Sequence, residues 1–368
     1  MSLDDTFQGT QALTAELPFD RHHLLAWLQS TLQDSLRPQQ PLSVEQFKGG
    51  QSNPTYLLKS GDKQYVMRTK PAPVAQLLAS AHAIEREFKV MKALYPTPVP
   101  VARMLALCED ESVIGRAFYV MDYVPGRVFW APELPGLQPS ERTQVFMSMN
   151  QVLADLHLVK VDSVGLSDYG RAGNYFERQI ARWSKQYTTS ITTPIPEMDQ
   201  LMAWLPQNLP ESARDHLLSL VHGDFRLDNL IFDPDSMQVR AVLDWELSTL
   251  GHPLADLSYQ CMAWHIAPEE FRGLAGLDLA ALGIPSERQY IAWYCEKTRL
   301  TTPEKLEGDW HFFLAYNMFR IAAILQGIAK RIEAGTASSK QAQNAAQRAR
   351  PLAQNAWKHA QLHRQLIS

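Results

Sequence analysis

Cysteine is scarce in this sequence, which has three such residues among 368: Cys108, Cys261 and Cys295. They lie far apart without C-x-x-C spacing, and a small, odd set argues against a disulfide framework. Such cysteine usage fits a reducing cytosol. The first ten residues, MSLDDTFQGT, are acidic and polar and predict no signal peptide. We therefore expect a cytoplasmic protein.

An excess of either charge is also missing, because 35 Lys and Arg residues accompany 39 Asp and Glu residues, for a net charge of −4. This balance gives no global basic surface for a nucleic acid or an anionic membrane. The most apolar long stretch, residues 312–329, is interrupted by Asn317, Arg320 and Gln326. It predicts a buried helix rather than a membrane span. We expect no nucleic-acid or membrane partner, and the oligomeric state stays open.

The length exceeds the roughly 250–300 residues that one hydrophobic core supports, so two lobes are expected. Residues 44–69 contain three short apolar runs separated by turn residues, which predicts an antiparallel sheet. Residues 81–94 have helical spacing, and residues 118–124 predict a further strand that Pro125 and Gly126 end. After about residue 125 helical periodicity dominates the sequence, and residues 288–332 are among the segments that show it.

We therefore predict an α+β, bilobal architecture. The N-terminal lobe, residues 1–124, has a helix that starts after an Asp20 N-cap, followed by the antiparallel sheet and its long helix. The C-terminal lobe, residues 125–368, is larger and mostly helical. We expect its last 30 residues to form a surface helix.

The strongest motif lies between residues 220 and 257. Asp224 and Asn229 are five positions apart, with His222 before the aspartate and Arg226 after it. Two short apolar runs then predict a hairpin that returns Asp244 to the side of Asn229. The spacing H-x-D-x-x-x-x-N matches the catalytic loop of kinases, which is followed by a metal-binding aspartate.

Phosphoryl transfer explains why these residue types occur together. A carboxylate must accept the proton of the substrate hydroxyl, oxygen ligands must hold Mg²⁺ on the ATP phosphates, and a cation must offset the transferred charge. A solvated loop after a strand would also contain Asp, Asn and Gly. That simpler interpretation does not account for the second aspartate or for the strand–glycine–strand region that precedes the motif.

The sequence resembles the aminoglycoside phosphotransferase and choline kinase superfamily. It is most similar to the kinase-like domain of acyl-CoA dehydrogenase family members ten and eleven and to free-standing bacterial relatives. The resemblance runs from about Phe19 to Arg331, and the segments that carry it are GGQSNPTYLL, YVMRTKP, AHAIEREFKVMKAL, FYVMDYVPGRVF, HGDFRLDN and VLDWELSTLGHPLADL. It implies a protein-kinase-like fold, ATP, Mg²⁺ and transfer of phosphate to a small-molecule hydroxyl.

By position in these segments, Asp224 resembles the catalytic base, and Asn229 and Asp244 resemble the metal ligands. Arg226 stands where protein kinases often place a lysine that faces the γ-phosphate. Glu246 either contacts the second metal shell or forms an ion pair. By the same analogy, Asp256 hydrogen-bonds the backbone of the catalytic loop, and we expect His222 to brace that loop.

In the N-terminal lobe, Gly49 and Gly50 would let backbone N–H groups approach phosphate, and Ser52 would add a hydroxyl donor. A plain hairpin turn is the alternative for these glycines. The resemblance places residues Met121 to Val124, Asp122 among them, at the hinge that offers backbone groups to adenine.

On the strand YVMR, Val66 and Arg68 point to one face. The resemblance has Val66 pack on adenine and Arg68 reach the α- and β-phosphates, where protein kinases use lysine. Lys70 is the rival of Arg68. Glu87 on the next helix is the matching ion-pair partner, and Glu85 is the alternative on the same helix.

Only 11 residues separate Asp244 from Asp256, which leaves no room for an activation loop and favours a small-molecule acceptor over a protein. Trp264, Trp293 and Arg320 are candidates for the acceptor pocket. Arg320 lies in an apolar run, where an unpaired charge is expensive. It is therefore paired internally, with Glu296 as a candidate, or faces an anionic substrate.

We therefore expect an ATP- and Mg²⁺-dependent phosphotransferase that binds ATP between its lobes and acts on a small-molecule hydroxyl. The resemblance suggests a hydroxy acid or a hydroxyacyl-CoA as acceptor. An aminoglycoside or choline-type substrate is the alternative within the class. A non-catalytic nucleotide-binding protein, or an enzyme that transfers the nucleotidyl group, is the alternative outside it.

Overall fold

The structure is a computed structural model that describes residues 9–11, 18–32, 41–48, 53–71, 83–214, 217–335 and 340–367. The predicted phosphate-loop residues Gly49, Gly50 and Ser52 lie outside the described residues. The described strands are β1 (Thr10–Gln11), β2 (Ser43–Phe47), β3 (Thr55–Ser60), β4 (Lys63–Thr69), β5 (Met104–Cys108), β6 (Phe118–Asp122), β7 (Ser219–Val221), β8 (Leu230–Phe232), β9 (Val239–Val242) and β10 (Thr249–Gly251).

The described α-helices are α1 (Arg21–Thr31), α2 (Ile84–Leu94), α3 (Pro139–His157), α4 (Tyr175–Ser190), α5 (Pro196–Trp204), α6 (Glu211–Arg214), α7 (Leu254–Cys261), α8 (Pro268–Phe271), α9 (Leu279–Leu282), α10 (Glu287–Thr298), α11 (Pro303–Glu307), α12 (Trp310–Glu333), α13 (Lys340–Ala346) and α14 (Ala349–Ile367).

The chain divides into two compact units. The sheet unit comprises the described residues within Met1–Trp130, Val164–Leu166 and Leu227–Ser248. The helical unit comprises those within Ala131–Ser163, Ser167–Arg226 and Thr249–Ser368. The chain passes from the helical unit to the sheet unit between Arg226 and Leu227, within the motif that carries the candidate chemistry.

The sheet unit is built on an antiparallel sheet with the strand order β1-β2-β3-β4-β6-β5. The predicted sheet is confirmed, and β5 is a strand that periodicity did not reveal. Helix α1 begins after Asp20, whose carboxylate accepts a hydrogen bond of 2.7 Å from the His22 N–H, so the predicted N-cap is confirmed. Leu24 and Leu28 of α1 belong to the same buried cluster as residues of the sheet.

Helix α2 lies against β5 and β6 and against the 3₁₀ turn Trp245–Leu247. Its buried residues recur at helical spacing, and they include an acidic side chain, Glu87, which is only 1% exposed. A buried carboxylate must be paired or hydrogen-bonded to be tolerated. The packing of α2 against the sheet therefore buries the Glu87 carboxylate at a position where it needs a partner.

The helical unit is organised around α12, which packs against α4, α7, α13 and α14. The periodic segment 288–332 is not one helix, because α10 ends at Thr298 and is followed by Arg299 in a left-handed conformation (φ 54°). Helix α12 is long and apolar enough to cross a membrane by length and composition, but 78% of its most apolar window is buried inside the protein. A core helix passes the same test, so this is weak support for a membrane span.

The predicted C-terminal helix is present, with one face at the surface and the other face buried. Helix α14 lies along α12 and buries Leu352, Ala353, Ala356 and Ala360 at helical spacing. Alanine at three of these four positions lets the two helix backbones approach closely. His359 of α14 is within 2.8 Å of His311 of α12, measured between their Nδ1 atoms, so a polar contact accompanies the apolar packing.

Candidate active site

A buried cluster of charges forms the core of the candidate site in the sheet unit. The Arg68 guanidinium has its Nε 3.4 Å from Glu87 Oε2 and donates from one terminal nitrogen to Asp244 Oδ1 at 2.7 Å. The same nitrogen lies 3.7 Å from Glu246 Oε2. Burial alone would lower the pKa of Arg68, but the charges of Glu87 and Asp244 raise it well above its ordinary value. A permanently charged fork is therefore held between three carboxylates.

Glu87 is fixed by neutral donors as well as by Arg68. Its carboxylate accepts hydrogen bonds from the Asn53 amide at 3.0 Å and from the Tyr119 hydroxyl at 3.1 Å. Burial raises the pKa of Glu87, and the Arg68 charge offsets part of that rise. Burial and the Glu87 charge raise the pKa of Tyr119 well above its ordinary value, so its hydroxyl remains a donor.

Lys70, the alternative to Arg68 as the phosphate-binding cation, has a different partner and is more exposed to solvent. Its ammonium contacts Glu85, and the two side chains are 36% and 31% exposed. Arg68 and Glu87, by contrast, have side chains that are 10% and 1% exposed. The structure thus pairs Arg68 with Glu87 and Lys70 with Glu85. Val66, two positions before Arg68 on β4, is also buried.

The two candidate metal ligands lie at one end of the β8–β9 hairpin. Leu230 pairs with Val242, and the Leu243 N–H donates to the Asn229 carbonyl at 2.8 Å, which places Asp244 next in the chain. Strand β9 ends at Val242, so Asp244 and Glu246 both lie beyond the strand. Asp244 instead adopts a left-handed conformation (φ 65°), which aspartate tolerates better than most residues, and begins the turn Trp245–Leu247.

The chemistry of these donors suits magnesium. Mg²⁺ prefers oxygen ligands and is usually held by one or two carboxylates together with substrate phosphates. The Asn229 amide oxygen and the Asp244 carboxylate provide that kind of set, and the Asp244 side chain is 32% exposed. Within the described residues, no group of three or more His, Cys, Asp or Glu side chains could form a metal cage by itself.

The catalytic-loop motif in the helical unit is anchored by Asp256 of α7. Its carboxylate accepts from the His222 N–H at 2.6 Å and from the Gly223 N–H at 2.8 Å. Burial would raise the pKa of Asp256, but hydrogen bonding and the charge of His157 lower it below the ordinary value. The predicted role of Asp256 is confirmed. So is the bracing role of His222, whose Nδ1 accepts from the Asp224 N–H at 3.2 Å.

Asp224 itself is held by two side chains. Arg226 Nε lies 3.4 Å from Asp224 Oδ1, and the Tyr259 hydroxyl of α7 donates to the same oxygen. The Asp224 side chain is 18% exposed, which leaves access for a small molecule. Arg226 thus faces Asp224 in this structure, and a contact with phosphate remains a prediction.

Glu296 is not the partner of Arg320. Arg320 is 5% exposed and donates to the Gly223 carbonyl, whereas Glu296 is exposed. Gly223 has φ 81°, a left-handed conformation that glycine adopts without strain. The Arg320 guanidinium also lies over two aromatic rings, at 5.5 Å from the Trp183 centroid and 5.3 Å from the Tyr259 centroid.

A second arginine flanks the same tryptophan. Arg182 lies at the protein surface, 5.0 Å from the Trp183 centroid, and partial burial of its guanidinium together with the charge of Arg320 lowers its pKa. Sequence reasoning missed Arg182, Trp183 and Tyr259, because helical spacing alone does not show which residues converge on a distant loop. The available signal was an arginine–tryptophan pair on an otherwise amphipathic helix.

The remaining candidates occupy ordinary packing positions. Trp264 donates from its indole to the Pro285 carbonyl at 2.9 Å and packs on Phe146, and Trp293 is half-buried on α10. In the predicted hinge, Met121 is paired within the sheet, and the Asp122 N–H donates to the Arg103 carbonyl at 3.0 Å. Val124, half-buried, follows the end of β6.

Comparison with known families agrees with this geometry. The phosphotransferase enzyme family, abbreviated APH, matches residues 43–293 of the chain. The chain therefore belongs to this family, and the resemblance deduced from its motifs is confirmed.

Individual relatives agree. A crystal structure from Ralstonia eutropha JMP134, provisionally assigned as an aminoglycoside phosphotransferase, is 54% identical with a TM-score of 0.82, covering 94% of this chain and 99% of that one. Acyl-CoA dehydrogenase family member 10 of Mus musculus is 47% identical over 323 residues, covering 87% of this chain but 29% of the relative. A choline kinase from Cryptosporidium parvum Iowa II, 11% identical with a TM-score of 0.61 and covering 95% of this chain and 100% of that one, shares the fold.

The chain spans 29%, 41% and 44% of the length of the mouse member 10, rat member 11 and human member 11 relatives, respectively. The fold class is that of the kinase-like phosphotransferases, with an antiparallel N-terminal sheet and a mostly helical remainder.

Proposed function

We propose that this member of the phosphotransferase family uses ATP and Mg²⁺ to phosphorylate a small-molecule hydroxyl in the cytoplasm. The observation that carries the proposal is the buried Arg68, held between Glu87 and the candidate metal ligand Asp244. A cation and a carboxylate at this spacing suit a phosphate chain that arrives with its metal ion.

Each residue has a definite task in this mechanism. Arg68 offsets charge on the phosphates, and Asn229 and Asp244 hold the metal ion, which supplies charge neutralisation when bound. Asp224 accepts the proton of the acceptor hydroxyl as its oxygen bonds to the γ-phosphorus. The bond from that phosphorus to the β–γ bridging oxygen breaks, and ADP leaves with the electron pair. Arg226 offsets charge that develops during transfer.

We propose further that the acceptor is an anion, either a hydroxy acid or a hydroxyacyl-CoA. Arg182 and Arg320 place two positive charges beside Trp183. Among the described residues no carboxylate forms a salt bridge with either arginine, although the charge of Asp224 acts on Arg320. A choline-type or aminoglycoside acceptor is cationic and would be repelled there. Relatives named as acyl-CoA dehydrogenase family members support an acyl substrate.

The test is a screen for nucleotide products with Mg²⁺, ATP and hydroxy acids, acyl-CoA esters, choline or aminoglycosides. The expected result is acceptor-dependent ADP release with a hydroxy acid or hydroxyacyl-CoA, together with the phosphorylated acceptor by mass spectrometry. AMP release would identify nucleotidyl transfer instead. Binding of ATP without turnover of any acceptor in an extended panel would favour the non-catalytic alternative.

Arg182→Gln is expected to raise the KM for an anionic acceptor about 10-fold or more, while the KM for ATP and the melting temperature stay close to wild type. The reason is that Arg182 is exposed and contributes charge rather than core packing. Lys185→Gln, which removes the same charge from an exposed position on α4, is the matched control. Equal acceptor KM values in the two variants would remove Arg182 from the acceptor site.

A further inference from the structure

Helix α7 presents two side chains to the catalytic loop from one face. Asp256 and Tyr259 are three positions apart, so they project from the same side of the helix. Asp256 holds the backbone N–H groups of His222 and Gly223, and the Tyr259 hydroxyl donates to the carboxylate of Asp224. One helix face thus binds both the backbone of the loop and the side chain of its candidate base.

The helix is itself fixed from behind. Asn317 of α12 donates from its amide to the Ala255 carbonyl at 3.1 Å and to the Ser258 hydroxyl at 2.8 Å. Arg320, one turn further along α12, donates to the Gly223 carbonyl and lies over the Tyr259 ring. The Tyr259 ring is therefore fixed by helix α7, to which it belongs, and by the buried Arg320 guanidinium that lies over it.

The direction of the hydrogen bond from Tyr259 is set by its surroundings. Burial, and then the charge of Asp224, raise the pKa of Tyr259 far above its ordinary value, even though Arg226 and Arg320 act in the opposite direction. The hydroxyl therefore keeps its proton at neutral pH and acts as the donor. Arg226 approaches the same carboxylate oxygen, Oδ1, so both contacts restrict rotation of the carboxylate.

We propose that Tyr259 is a positioning residue for catalysis, which orients the Asp224 carboxylate before it accepts the acceptor proton. The role rests on the proposed function because it requires Asp224 to be the base. Hydrogen bonds to charged groups are strong enough for the loss of this one to change a rate about 10- to 100-fold.

The test is Tyr259→Phe, which removes the hydroxyl and keeps the ring under Arg320. The expected result is a kcat about 10- to 100-fold lower, with an unchanged Kd for MgATP and an unchanged KM for the acceptor. The control is Tyr187→Phe, which removes another buried hydroxyl of the helical unit, one that accepts a hydrogen bond from the Ile195 N–H. It should lower stability without changing kcat.

A purely structural role for Tyr259 would lower the melting temperature and leave the kcat of the folded enzyme at the wild-type value, and that result would overturn the proposal. Such a result with an active wild-type enzyme would leave the proposed function intact. If the wild-type protein released no ADP with any acceptor, the proposed function would fail and the role of Tyr259 with it.

Discussion

Asp224→Asn is expected to lose most of the turnover, with kcat lower by ~10²–10⁴, because general-base assistance is typically worth that much. The substitution preserves the size of the side chain and removes its ability to accept a proton, while the backbone anchors from Asp256 to His222 and Gly223 stay in place. Binding of MgATP should remain close to wild type, since the lost group acts on the acceptor. Steady-state kinetics on the acceptor found by the nucleotide screen provide the measurement.

A matched control separates this effect from a general loss of charge. Asp235→Asn removes one negative charge from an exposed position in the turn of the β8–β9 hairpin. Its kcat should equal that of the wild type. Near-wild-type turnover by Asp224→Asn would exclude the assignment of this residue as the base.

Arg68→Met should destabilise the protein by about 3–5 kcal/mol, because removing one partner of a buried ion pair leaves the other charges uncompensated. Glu87 would keep its hydrogen bonds from Asn53 and Tyr119 but would lose the Arg68 guanidinium beside it, and the candidate metal ligand Asp244 would lose the same guanidinium. Affinity for MgATP should also fall sharply. Urea unfolding gives the first quantity, and calorimetry gives the second.

Lys70→Met is the control for Arg68→Met, since it removes a cation two positions along the same chain segment. The pair of Lys70 and Glu85 is partly exposed, and such pairs contribute about 0–1 kcal/mol. We expect little change in stability and an unchanged affinity for MgATP. If Lys70→Met weakened nucleotide binding and Arg68→Met did not, the phosphate contact would belong to Lys70.

Much of the architecture could be predicted because its signals are local. Short apolar runs separated by turn residues predicted the sheet, Asp20 marked the start of α1, and the H-x-D-x-x-x-x-N spacing brought Asp224 and Asn229 into one short segment. The role of Asp256 followed from resemblance, and two hydrogen bonds to backbone N–H groups confirm it. Each of these features is predictable because it depends on residues that are close in the sequence or on a recognisable motif.

The features that sequence missed depend on packing between distant segments. Arg320 reaches the Gly223 carbonyl 97 positions away, and neither periodicity nor charge pattern distinguishes that partner from Glu296. The same limit applies to Tyr259, which reads as an ordinary aromatic core residue until α7 is placed against the loop. The buried face of α14 was not predicted, because a stripe of alanines carries a weak apolar signal even though small residues suit close packing.

The left-handed turn at Asp244 was also hidden from pattern reasoning. The apolar runs predicted a hairpin that returns Asp244 to the side of Asn229, but they did not show that the strand ends at Val242 and that the chain turns there. The turn places Asp244 and Glu246 on either side of Trp245, and both carboxylates still lie near Arg68.

The most direct test of the central claim is calorimetric titration of a non-hydrolysable ATP analogue, with and without Mg²⁺, into wild-type protein, Asp224→Asn and Asp244→Asn. Both variants lose one formal charge, so the comparison isolates position. We expect Asp224→Asn to keep the Mg²⁺-dependent gain in affinity of the wild type and Asp244→Asn to lose most of it. Equal Mg²⁺-dependent binding by both variants would contradict the assignment of Asp244 as a metal ligand. No binding by the wild-type protein would contradict the assignment of the protein as a kinase.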